Sequence, residues 1–88
     1  MVSQSIVIQN RAGIHARPAA MLVEETKKYL CNIYFEKGRE KINAKSIMGI
    51  ITLGAAYGTE IKITAEGDDE LEAVETLVHL FESKFEEE

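Results

Sequence analysis

The sequence predicts an α+β fold: a two-layer open-faced sandwich of order βαββαβα, with three helices on one face of a four-stranded antiparallel sheet. Three observations lead there. The hydrophobic period switches repeatedly between 2 and 3.6 residues along the chain. Each strand segment carries one apolar face and each helical segment one apolar stripe, so the two kinds of surface must be laid one on the other. The chain has 88 residues and no linker, repeat or low-complexity stretch, which makes residues 1–88 a single domain able to bury one modest core. Periodicity leaves the strand order open, and a ferredoxin-like order would satisfy the same pattern.

Each element has its own signal. Residues 3–9 read as a strand with Ile6 and Ile8 on one face. From Ala16 onward, Ala19, Leu22, Val23, Thr26 and Leu30 recur at helical spacing. Ile33 and Phe35 alternate in a second strand, and a turn at Lys37-Gly38-Arg39 leads to a short third strand through Ile42. Ser46 is placed to cap a short apolar helix that stops at Gly54, with Ile50 and Leu53 as its core-facing pair. Ile61, Ile63 and Ala65 point inward from a fourth strand. Asp68 or Asp69 opens the last helix, along which Leu71, Val74, Leu77, Val78, Phe81 and Phe85 form one stripe.

Composition narrows the function. No apolar stretch is long enough to span a membrane, and no charged-then-apolar signal segment opens the chain. Cys31 is the sole cysteine, which excludes an internal disulfide and points to the cytoplasm. It reads as a core or strand-edge residue, not a catalytic thiol. The net charge of −5 is unevenly spread: residues 1–45 carry +4 and residues 46–88 carry −9. So acidic a chain is a poor nucleic-acid binder, whereas its basic half suits phosphate or acidic partners. The tail Glu86–Glu88 reads as a frayed, solubilising end. His15, Cys31 and His79 lack metal-ligand spacing, so no metal and no cofactor are expected. His79 falls on the solvent side of the last helix.

The chemistry concentrates in Gly13-Ile14-His15-Ala16-Arg17-Pro18-Ala19-Ala20. Gly13 allows a sharp approach, and Pro18 fits the first turn of a helix because its fixed φ is already helical. His15 then falls at the N-cap, where Ser, Thr, Asp or Asn is usual. The backbone N–H groups of Ala16 and Arg17, the positive end of the helix dipole and the Arg17 guanidinium converge into an anion site. An imidazole beside that site is a nucleophile toward phosphorus, and the phosphoryl group it receives is held without reorganisation. Arg17 opposes the dipole of its own helix, a locally unfavourable placement that anion binding explains. A second cluster follows Ser46. Ile47, Met48 and Ile51 exceed what one buried face of a short helix needs and read as an exposed docking patch.

Residues 13–20 resemble the active-site segment of the HPr family, the histidine-containing phosphocarriers of the bacterial sugar phosphotransferase system. Lys45-Ser46-Ile47-Met48-Gly49-Ile50 is similar to the regulatory-serine motif of Gram-positive-type members, and Thr64-Ala65-Glu66-Gly67 extends the likeness to nearly the whole chain. The resemblance implies strand order 1-4-2-3. It implies that His15 accepts a phosphoryl group at Nδ1 from a phosphoenolpyruvate-dependent enzyme I and donates it to sugar-specific EIIA domains. It also implies that Ser46 is the target of an ATP-dependent HPr kinase/phosphorylase, and that a catabolite-control transcription factor is a further partner. Such a carrier is a substrate of other enzymes, not an enzyme itself, and as a transient docker it is expected to be monomeric. Ala12 departs from the family pattern, which often has a small polar residue there. An RNA- or metabolite-binding module fits less well, because Tyr29, Tyr34 and Tyr57 are scattered and form no stacking run.

Overall fold

Alternation along the strands gathers the β-branched and aromatic residues onto one side of a sheet. In the computed structural model of the protein, the structure describes residues 1–86. Its elements are β1 (Val2–Val7), α1 (Ala16–Thr26), β2 (Asn32–Lys37), β3 (Glu40–Asn43), α2 (Ile47–Leu53), β4 (Glu60–Glu66) and α3 (Glu70–Glu82). The sheet order is β1-β4-β2-β3, antiparallel throughout, as the family resemblance implied. Register places Ile6 opposite Ile61, Phe35 opposite Ile63 and Ile33 opposite Ala65, so all six lie on one face and all are buried. A slip of one residue would turn that whole set toward water.

The helices close over this face. Leu22 of α1, Ile50 and Leu53 of α2, and Ala73, Val74, Leu77, Val78 and Phe81 of α3 complete the core. Phe35 meets Phe81 edge to face at 5.7 Å, and Phe81 meets Phe85 likewise at 5.3 Å, which links sheet, α3 and C-terminus in one aromatic series. The opposite face of the sheet is mostly polar, with Ser3, Ser5, Lys62 and Glu36 along it.

Polar contacts set the ends of the elements, and here the expected pattern needs correction. α1 stops at Thr26, not Leu30: the buried Thr26 hydroxyl donates to Ala44 O at 2.8 Å, and Leu30 is left 95% exposed. Asp69 stands at the start of α3 but does not cap it. Its carboxylate accepts instead from Leu30 N at 2.8 Å and Cys31 N at 3.0 Å, tying the entry of β2 to the entry of α3. Leu71 lies outside the apolar stripe and is exposed. Phe85 is buried as expected, but from a turn beyond the end of α3. The acidic-tail expectation for Glu87 and Glu88 lies outside the described residues.

The approach to α1 depends on Gly13. Its φ is +71°, and a Cβ there would sit 2.9 Å from Ala55 O and 3.1 Å from Ala56 Cα. Buried Asn10 braces the turn, since its Nδ2 donates to Gly13 O at 2.6 Å and Gly13 N donates to Asn10 O at 3.0 Å. Ile14 N then donates to Ala55 O at 2.9 Å, joining the entry of α1 to the exit of α2.

Two outcomes follow from these contacts. Gly13→Ala should lower stability by about 1–3 kcal/mol, because the new side chain meets both a left-handed φ and backbone atoms; chemical denaturation measures this. The Leu30 N–H, and next the Cys31 thiol and N–H, hold the Asp69 carboxyl below the usual carboxylate range. A depressed folded-state pKa contributes stability above the unfolded value of about 4 and loses it as pH falls through the folded value. Thermal melts should therefore show Asp69→Asn less stable than the parent at pH 7, with the gap closing as the pH drops below about 4.

Candidate functional site

α1 begins at an exposed corner of the molecule with His15 as its N-cap residue, in extended conformation at φ −87° and ψ −167°. The His15 side chain makes no capping hydrogen bond. Ala19 N donates to His15 O at 3.0 Å, which is the first bond of the helical ladder. The three positions between them are Ala16, Arg17 and Pro18. Pro18 has no N–H, so the helix geometry directs two amide donors, those of Ala16 and Arg17, away from any intrahelical acceptor. No acidic residue lies in the first turn to offset the positive end of the dipole. Pro18 and Ala19 are buried and pin the turn to the core, while His15, Ala16 and Arg17 face solvent.

Arg17 reaches across to the C-terminus, where its Nη1 donates to Phe85 O at 3.1 Å. A cation, two amide donors and an imidazole therefore share one exposed helix start. Such an arrangement can take up a phosphoryl group on the ring and stabilise its charge.

Ser46 is the N-cap of α2, and its Oγ accepts from Gly49 N at 3.0 Å. Gly54 closes the helix in the left-handed conformation, and Lys37 Nζ donates to Leu53 O at 2.6 Å at the same end. Ile50 and Leu53 face the core as expected, while Ile47, Met48 and Ile51 are exposed. Ser46 and His15 do not form one site. The His15 turn is fastened to the C-terminal exit of α2 through Ala55, and Ser46 caps the opposite end, roughly 10 Å away along the axis of a seven-residue helix. The exposed apolar side chains lie between the two.

The other candidate residues stand apart. Cys31 is buried, and burial, followed by the nearby Asp69 carboxylate, pushes its thiol up to about 11, leaving it protonated at neutral pH. His79 is exposed on α3. Among the described residues no group of three or more His, Cys, Asp or Glu is arranged to hold a metal ion, and no helix is long and apolar enough to cross a membrane. Sequence reasoning missed three supports of the site: Asn10, Lys37 and the Phe85 carbonyl. Asn10 left one trace, a polar residue three before a glycine in a loop, which is a turn signal. The other two act through backbone carbonyls distant in sequence, for which no local signal exists.

Comparison with known proteins gives the family of the chain. The family model described as "PTS HPr component phosphorylation site" matches residues 2–83. The phosphocarrier protein HPr of Treponema pallidum is 41% identical over 88 residues, covering all of both chains. The HPr-like protein Crh of Bacillus subtilis is 43% identical over 77 residues, 88% of this chain and 91% of Crh. A crystal structure of HPr from Thermoanaerobacter tengcongensis superposes with a TM-score of 0.97 at 52% identity, covering 100% of this chain and 99% of that one. With His15 at the head of α1 and the family's strand order in place, the chain belongs to the HPr family of phosphocarrier proteins of the phosphotransferase system.

Proposed function

We propose that the chain carries phosphoryl groups on His15 between an enzyme I charged by phosphoenolpyruvate and sugar-specific EIIA domains, in the cytoplasm. The observation that carries this reading is the head of α1: an exposed imidazole at the N-cap, with Arg17 two residues on and no acid in the first turn. In the step toward the carrier, Nδ1 of His15 forms a bond to phosphorus as the bond to enzyme I breaks. In the step away, that N–P bond breaks as the EIIA acceptor attacks. Ala16 N–H, Arg17 N–H and the Arg17 guanidinium hold the charge of the phosphoryl oxygens in both directions. The chain catalyses no turnover of its own. All of these groups lie on one protomer, so a single copy of the chain suffices.

A second role rests on Ser46. Its Oγ sits at a helix N-terminus, where a phosphate is well tolerated, so modification there leaves the fold in place and acts on the surface. In this reading an HPr kinase/phosphorylase transfers the γ-phosphoryl group of ATP to Ser46 Oγ. The added charge stands beside Ile47, Met48 and Ile51, which partners of the unmodified carrier need bare. A catabolite-control transcription factor that recognises the phosphate would use the same patch. The likeness to Crh favours this second role alongside the first.

Incubation with phosphoenolpyruvate, magnesium and enzyme I from the same organism should add one phosphoryl group by intact mass, lost on acid treatment. His15→Ala should remain folded and take up none; uptake by that variant would refute the assignment. Arg17→Ala should slow transfer roughly tenfold or more while changing stability by less than about 1 kcal/mol, as rapid-quench kinetics beside thermal melts would show. Ser46→Asp should slow acceptance from enzyme I, chiefly through a higher apparent KM, with the circular dichroism spectrum unchanged. An unaltered rate would remove Ser46 from control of the docking surface.

A further inference from the structure

The two edges of the sheet are finished differently. β3, at one edge, is four residues long and carries Glu40 and Lys41, a short and charged form that discourages a further strand. β1, at the other, has six residues, Val-Ser-Gln-Ser-Ile-Val, with no charge and no proline. Its register with β4 runs from Val2 to Val7 without a bulge. One bond fixes which of its backbone groups face outward. Ile8 N donates to Thr59 O at 2.9 Å, so alternation in the antiparallel ladder turns the backbone groups of Val2, Gln4 and Ile6 toward β4. The same alternation carried across the sheet puts Ala44 N on Ile33 O, where a bond of 2.9 Å is found. The N–H and C=O groups of Ser3, Ser5 and Val7 therefore point off the sheet, and all three residues are exposed.

An outward row of donors and acceptors on a regular, uncharged strand is a template for one more strand. A groove of about 230 Å³ runs beside it, bounded by Gln4, Ser5, Ile6 and Val7. The charged residues of its lining are Glu60 and Glu82, and neither has a salt-bridge partner among the described residues. We propose that the β1 edge is a docking surface for an extended basic segment of a partner protein, which adds to the sheet beside β1. Main-chain bonds to Ser3, Ser5 and Val7 supply the affinity. Lysine or arginine side chains leave such a segment on both faces and meet Glu82 on the helix side and Glu60 on the open side. A second copy of this chain fits less well, because its own β1 brings no cation and would set the carboxylates of two copies together. α2 packs on β3, across the full width of the sheet, so an occupant of β1 leaves Ile47, Met48 and Ile51 open. The edge is independent of the roles proposed for His15 and Ser46.

The test is an NMR titration of the uniformly 15N-labelled full chain with a synthetic peptide of about seven residues. The peptide is built of valine and threonine with lysine at every third position, so that cations leave both faces. Binding should shift the amide resonances of Ser3, Ser5 and Val7 and slow their hydrogen exchange about tenfold or more, while residues 47–53 stay in place. Shifts confined to other residues, or none at about 1 mM peptide, would overturn the proposal. The same peptide with glutamate in place of lysine should bind about tenfold more weakly or less, and equal binding would sink the basic partner. Ser5→Pro removes one outward N–H from an edge strand, where proline is tolerated, and should abolish binding in a folded protein. Glu82→Lys, at an exposed position, should weaken the lysine peptide several-fold with the circular dichroism spectrum unchanged. If Ser5→Pro does not fold, Glu82→Lys decides alone, and an undiminished affinity in it removes the proposal. Sedimentation of the chain by itself should give a monomer; a dimer broken by Ser5→Pro would make a second copy the occupant and overturn the partner.

Discussion

The placement of His15 hangs on the close approach of Gly13 to the backbone of Ala55 and Ala56. A carbonyl 2.9 Å from where a Cβ would stand leaves no room for any side chain, and the left-handed φ independently asks for glycine. Because Ile14 N bonds to the same Ala55 carbonyl, the entry of α1 and the exit of α2 are one rigid junction. His15 follows immediately, so its position is inherited from the core and not from a loop. Phosphoryl transfer gains mainly from positioning, and the role proposed for His15 would draw on its place next to this junction.

The site is cationic by arrangement within a chain of net charge −5. The positive end of α1, two amide donors and Arg17 act together, and no acid in the first turn cancels them. The carboxylates near the start of α3 are occupied elsewhere: Asp69 binds the entry of β2, and Glu70 accepts from Gly67 N at 3.0 Å. At the other end of α2, Ser46 serves the fold as a cap beside the exposed side chains of Ile47 and Met48. One short helix thus separates the His15 corner from Ser46, and Ile47, Met48 and Ile51 are exposed along it.

Local chemistry was legible wherever a residue acts on its neighbours in sequence. The N-cap position of His15, the fit of Pro18 in the first turn, the capping by Ser46 and the stop at Gly54 all read directly, because each depends on a backbone conformation within a few residues. The inward sets of β4 and β2 read equally well from their alternation. What misled was extrapolation of a period past its element. Leu30 and Leu71 match helical spacing yet face solvent, since α1 had already ended at a buried threonine and the stripe of α3 is set by what lies beneath it. Asp69 has the composition of a cap and serves a different strand.

The sequence by itself determined the element order, the single core, the placement of His15 and Arg17 at the head of α1 and the serine at the head of α2, because periodicity and helix-end chemistry are local properties. Only the tertiary structure decided the separation of His15 from Ser46, the bracing of the site by Asn10 and Ala55, and the contact of Arg17 with the Phe85 carbonyl. These depend on backbone carbonyls brought together from distant segments. A carbonyl is the same chemical group at every position, so no residue type announces which one will be used.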